Sequence, residues 1–199
     1  MDTSELVAVA VDSRVSRSFA FLDLCGFTVF VDAAGDDAAV AELQHLRASV
    51  REVAPLFGVR VEKWLGDGVM LVGVDSEPLV AATVAVQLRF DRPGQLPIRA
   101  GIATGEVLLL EGDDYIGRPV NLASRLCDQA DRDQILAAVD GLAVPDWVSL
   151  DAHDPVRVRG IAQPVEVVAV KAEMAELRRR SKSRNAPLHK LFEGLKLLR

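Results

Sequence analysis

Gly66-Asp67-Gly68 stands between two runs rich in strand-forming residues, Val59 to Leu65 and Val69 to Val74. A tight Gly-Asp-Gly turn between such runs predicts a hairpin, and a hairpin commits its strands to antiparallel pairing. The rest of the chain has to be laid around that pair. Ser18 to Leu24 is an apolar run ending at Cys25-Gly26 and reads as a buried strand. Phe27 to Ala34 reads as a short helix stopped by Gly35, and Asp36 or Asp37 can cap the next helix. In that helix Leu43, Leu46, Val50, Val53 and Phe57 recur at three- and four-residue steps and make one apolar stripe, which ends at Gly58.

Further on, Glu77 to Phe90 is helical until Pro93-Gly94, and Ile98 to Leu110 is a long strand. Gly112 to Gly117 is a glycine-containing loop, and Val120 to Ala130 is helical. Short strands are expected at Gln134 to Ala137, Val156 to Arg159 and Val165 to Val170. This order predicts an α+β plan, a largely antiparallel sheet with helices packed on one face. A sheet covered on one side has a second side to hide, and dimerisation is the usual way to hide it.

Composition narrows the class. The chain has 199 residues, half of them hydrophobic, which suits one soluble domain with an extension at each end. No apolar run approaches the roughly 20 residues that span a bilayer. Leu6 to Val11 is broken by Asp12 and Arg14 and has no basic flank, so neither a secretory leader nor a transmembrane segment is expected. Cys25 and Cys127 lack the spacing of a redox or metal motif and read as thiols of a cytoplasmic protein. His45, His153 and His189 are too scattered to form a metal site.

The net charge of −6 conceals two regions. Lys171 to Arg199 holds nine basic and three acidic residues, against 14 basic and 26 acidic before it. The acidic body excludes nucleic-acid binding by charge. The tail carries a basic run from Arg178 to Arg184, then Leu188, Leu191, Phe192, Leu195 and Leu198 at helical spacing. Its candidate seats are the body of the chain, an acidic partner and a membrane surface.

Two aspartates carry chemistry. Asp23 interrupts the apolar Phe-Leu-Asp-Leu and is costly to bury unless paired or metal-bound. Asp67 taken alone is equally well a plain turn residue. If their strands are neighbours, the two carboxylates converge into a hard oxygen site suited to Mg²⁺ or Mn²⁺ beside phosphates. Gly26-Phe27-Thr28 opens a helix whose free N–H groups suit a phosphate. Downstream, Asn121 and Arg125 share one helix face. That pattern fits a solvated face or a site for an anionic transition state.

These segments, in this order, resemble the catalytic domain of the class III adenylate and guanylate cyclases. Phe21-Leu22-Asp23-Leu24-Cys25-Gly26-Phe27-Thr28 is similar to their first metal motif, and Lys63-Trp64-Leu65-Gly66-Asp67-Gly68 to their base-reading lysine and second metal aspartate. Arg99 to Glu106 resembles the strand that crosses the domain's core. Asp114 to Leu126 resembles the segment with the adenine-reading aspartate and the transition-state Asn and Arg.

The resemblance spans residues 17–171 and divides the chain into an extension, 1–16, a ferredoxin-like cyclase domain, 17–171, and a tail, 172–199. It implies a homodimer that turns ATP into 3′,5′-cyclic AMP and pyrophosphate. Asp23 and Asp67 would hold two Mg²⁺ or Mn²⁺ ions per active site. Lys63 and Asp114 would read adenine, Phe27, Thr28 and Arg159 would contact the substrate, Asn121 would orient the ribose, and Arg125 would stabilise charge on the α-phosphate. The metal aspartates would come from one subunit and the remaining pairs from its partner. Trp64 alternates with Lys63 and faces the opposite side of its strand.

Three departures touch affinity and rate more than reaction class. Arg159 stands where many members have lysine, the loop from Leu110 to Asp114 carries no basic residue, and Arg118 is bulky. The competing reading is a catalytically silent cyclase-homology module that binds nucleotide or a partner. A diguanylate cyclase is a weaker rival, since no Gly-Gly-Asp-Glu-Phe run occurs.

Overall fold

The computed structural model describes residues 12–90, 94–110 and 114–176. β1 (Asp12–Leu24) leads into α1 (Phe27–Ala34), α2 (Asp36–Val53) and a 3₁₀ turn (Ala54–Phe57). The hairpin β2 (Arg60–Leu65) and β3 (Gly68–Gly73) follows, then α3 (Ser76–Gln87), β4 (Ile98–Leu110) and β5 (Asp114–Ile116). α4 (Arg118–Gln129), β6 (Ile135–Ala138), β7 (Val148–Ala152) and β8 (Val167–Ala172) complete the order. The eight strands form one sheet, ordered β2-β3-β1-β4-β6-β8-β7, with β5 paired to β4. Every pairing is antiparallel except β4 with β6. Parallel neighbours need a crossover, and α4 supplies it.

The α+β plan is the one expected, but the helices cover both faces. Phe19 and Ala20 point to opposite sides of β1, as strand alternation demands. Ala20, Leu22 and Leu24 share a core with Leu46 and Val50 of α2 and with Leu79, Val80 and Val84 of α3. Phe19, Met70 and Ala103 share a second core with Leu122, Ala123 and Leu126 of α4. Each fully buried leucine in these cores contributes roughly 1.5–3 kcal/mol. α3 buries an unbroken run from Leu79 to Val86, and its one hydroxyl there is satisfied, Thr83 donating to the Leu79 carbonyl at 2.8 Å.

Other expectations need correction. β1 begins at Asp12, inside the stretch assigned to the extension, because β4 is long enough to pair with it there. Asp36 and Asp37 lie in the first turn of α2 and make no capping hydrogen bond; Gly35 occupies the cap. α3 ends at Gln87, before Phe90. The loop after β4 contains β5, which exists only because Leu108–Leu110 is there to pair with it. The strand expected at Val156 to Arg159 is a single bridge, Val156 to Val165, and β7 was not anticipated. The tail lies, from residue 177, outside the described residues. Within the described residues no helix is long and apolar enough to cross a membrane.

Candidate active site

The β2–β3 turn brings the two aspartates together. Asp23 sits opposite Gly68 on one side and Arg99 on the other. Gly66 takes the left-handed conformation (φ 68°) that a two-residue hairpin loop requires. The Leu24 N–H donates to the Asp67 carbonyl at 3.3 Å, closing the loop against the end of β1. A side chain at position 68 would lie 2.8 Å from the Leu22 carbonyl oxygen and 3.4 Å from Asp23 Oδ1, so only glycine fits there.

Arg99 grips Asp23 through Nη2 at 2.7 Å and Nε at 3.0 Å, both on Oδ2, while its Nη1 donates to the Asp128 carbonyl at 2.9 Å. Burial pushes the Asp23 carboxyl above its ordinary range, the Arg99 hydrogen bond opposes that, and the charge of Asp67 adds to it. A carboxylate whose proton affinity is raised by a second carboxylate beside it has the electrostatics of a place where a cation is welcome. Among the described residues no group of three or more His, Cys, Asp or Glu could hold a metal ion. The protein thus offers two oxygen-bearing side chains, a donor set that fits Mg²⁺ or Mn²⁺ when phosphates and water complete the shell.

A β-bulge between Val61 and Lys63 turns Lys63 away from the face that Val61 occupies. Lys63 pairs with Met70, on the α4 side of the sheet, and reaches Asp114 of β5, Nζ to Oδ1 at 2.7 Å. That hydrogen bond holds the Asp114 carboxyl below its usual range. Tyr115 fixes β5 over the sheet. Its ring meets Phe19 edge-on at 5.3 Å, its hydroxyl accepts from Arg60 Nη2 at 3.3 Å, and its N–H donates to Asp114 Oδ1 at 3.1 Å. Arg60 is itself paired with Glu62, the residue displaced by the bulge. Trp64 does face the other way and stacks with Arg47 and Arg51 of α2.

On α4 the buried residues Leu122, Ala123, Leu126 and Cys127 face the sheet, which leaves Arg118, Asn121 and Arg125 in a row on the outer face. Gly160 (φ 85°) turns the chain so that Arg159 lies across from that row. Arg118, Asn121, Arg125 and Arg159 line one cleft of about 600 Å³. Arg125 is tied to Asp128 at 3.2 Å. Phe27 packs on the core and Thr28 is exposed, in the first turn of a helix that begins at Gly26 with no side-chain cap.

The structure therefore gathers the residues singled out from the sequence into groups: Asp23 with Asp67, Lys63 with Asp114, and Asn121 and Arg125 with Arg159. Neither Asp23 nor Asp67 lines the cleft beside α4. Arg99, Arg60 and Tyr115 were assigned no role from the sequence; their positions depend on cross-strand register, which no local pattern reports. Cys25 and Cys127 are buried free thiols, and burial pushes Cys127 up to about 12.

No protein-family model matches the chain. The uncharacterized protein Rv2212 of Mycobacterium tuberculosis is 40% identical over 158 residues, 77% of this chain and 40% of that protein. The pH-sensitive adenylate cyclase MT1302 of the same species is 31% identical over 165 residues, 76% of this chain and 40% of that protein. The chain thus spans 40% of the length of these relatives. The solved adenylyl cyclase CyaB from P. aeruginosa superposes with a TM-score of 0.68 at 24% identity, over 80% of this chain and 95% of that one. Guanylyl cyclases stand among the other solved neighbours.

Proposed function

We propose, from the premise that this chain has the fold of the class III nucleotidyl cyclase catalytic domains, that it is an adenylate cyclase, forming 3′,5′-cyclic AMP and pyrophosphate from ATP at sites shared within a homodimer. The observation that carries this reading is the Lys63–Asp114 pair. Adenine offers an acceptor at N1 and a donor at its 6-amino group; guanine offers the reverse. A Lys donor and an Asp acceptor held side by side complement adenine. In the absence of a base they are hydrogen-bonded to each other, so only a base that gives each of them a new partner enters without loss.

Lys63 donates to N1 and Asp114 accepts from the 6-amino group. Asn121 orients the ribose. Arg125 and Arg159 lie along the phosphates, and Arg125 stabilises the charge that builds on the α-phosphate. The first turn of α1, with Phe27 and Thr28, offers its free N–H groups to a phosphate oxygen. Asp23 and Asp67 would hold the divalent ions, Mg²⁺ or Mn²⁺, which would supply a lower pKa for the ribose 3′-hydroxyl and charge stabilisation of the phosphates. Arg99 orients the Asp23 carboxylate and its hydrogen bond favours the ionised form against the effect of burial. The reaction is an in-line displacement, so positioning and charge account for most of the rate. Neither Asp23 nor Asp67 lines the Asn121–Arg125–Arg159 cleft within one chain, which supports a site completed by a second copy.

The test is a cyclase assay of the purified chain with ATP and with GTP, each with Mg²⁺ and with Mn²⁺. Cyclic AMP is expected, with GTP used at less than about a tenth of the ATP rate. Nucleotide binding with no cyclic product from either would favour the silent module instead.

A further inference from the structure

The cleft beside α4 holds one more cation than the proposed chemistry uses. Arg118 opens α4 and stands in line with Asn121 and Arg125, at steps of three and four residues that keep all three on one face. Arg118 and Arg125 are about 10 Å apart along the helix axis, with Arg159 across the cleft from both. Among the described residues no carboxylate lines this cleft. Arg125 has Asp128 as a partner, but the side chains of Arg118 and Arg159 make no ion pair or hydrogen bond with any described residue. Two arginines without partners among the described residues, facing one cleft and reinforced by the positive end of α4, favour an anion between them. A forked guanidinium is the side chain best matched to phosphate oxygens.

We propose that Arg118 is a further polyphosphate-binding residue of this chain, holding, with Arg159, the phosphates of the nucleotide and the pyrophosphate that leaves. The identity of the anion rests on the cyclase reading; the existence of the anion site does not. A purely structural role has one candidate. Arg118 also borders a neighbouring cleft of about 540 Å³ that carries Glu106, Asp140 and Glu166, and those carboxylates could anchor it. No ion pair joins them to Arg118. The two roles differ in what they lose when Arg118 is removed: anion affinity in one case, stability in the other.

The experiment is calorimetric titration of the full chain with sodium pyrophosphate, metal chelated, for the native protein and for Arg118→Ser, Arg118→Lys and Arg159→Ser. Arg118→Ser should weaken binding roughly five- to tenfold at an unchanged unfolding midpoint, Arg118→Lys should recover part of the loss, and added salt should shrink the differences. In the cyclase assay Arg118→Ser should raise KM for ATP more than it lowers kcat, at an unchanged ATP-to-GTP preference. The inference is overturned by an Arg118→Ser chain that binds pyrophosphate as the native chain does. It is equally overturned if binding falls only in step with the unfolding midpoint, or if the native chain binds no pyrophosphate. A native chain that makes no cyclic nucleotide yet holds pyrophosphate through Arg118 removes the cyclase reading and leaves this site standing.

Discussion

Arg99 places two nitrogens on a single oxygen of Asp23, in a pair that is roughly three-quarters buried on both sides. Removing the carboxylate leaves the guanidinium, among the described residues, with the Asp128 carbonyl alone. Asp23→Ala should therefore abolish cyclic AMP formation and also cost about 1–3 kcal/mol of stability, read from urea unfolding. Adding Arg99→Ala should give back part of that cost, a non-additivity that a double-mutant cycle measures. Near-native product from Asp23→Ala would remove the metal assignment. At this scale the sequence was legible wherever a polar residue broke a pattern: Asp23 inside an apolar run, Asp67 between glycines, Asn121 and Arg125 one turn apart. Arg99, Arg60 and Tyr115 break no pattern. They matter because of what lies opposite them, and only the sheet register decides that.

α4 lies so close to β4 that Gly101 has no room for a methyl group: a Cβ there would stand 2.2 Å from the Ala123 carbonyl oxygen and from the Cys127 nitrogen. Backbone cannot yield as a side chain can. Gly101→Ala should lift α4 off the sheet and cost about 2–4 kcal/mol, seen as a lower Tm with loss of the Arg118–Asn121–Arg125 row as an ordered surface. A Tm within a degree or two of the native value would mean the helix is not so tightly docked. Elements with strong punctuation were readable from sequence. α1 ends where Gly35 stands, and β4 spans Ile98–Leu110 as its composition suggests. β5 and β7 were not readable, since strands of three and five residues owe their form to a partner more than to their own propensity. The two-sided helix layer was equally hidden, because a stripe of apolar residues says that a helix packs but not on which face of a sheet.

A homodimer with shared sites makes a prediction at the scale of the assembly. Asp23→Ala and Asn121→Ala chains should each be inactive, yet their mixture should recover up to about a quarter of native activity, because one of the two sites in each heterodimer is whole. Recovery should grow with protein concentration by mass action, and verified heterodimers that stay inactive would place the whole site within one chain. The strand order has a consequence of another kind. β1 lies in the middle of the sheet but is made first, and both of its neighbours come late: Ser18 pairs with Gly73 on one side and with Thr104, 86 residues further on, on the other. At a synthesis rate of about 5–20 residues per second, Ser18 leaves the ribosome roughly 4 to 17 seconds before Thr104. For that interval the apolar Phe19-Ala20-Phe21-Leu22 segment has no strand to receive it on the β4 side, so the newborn chain is more open to aggregation than the finished domain.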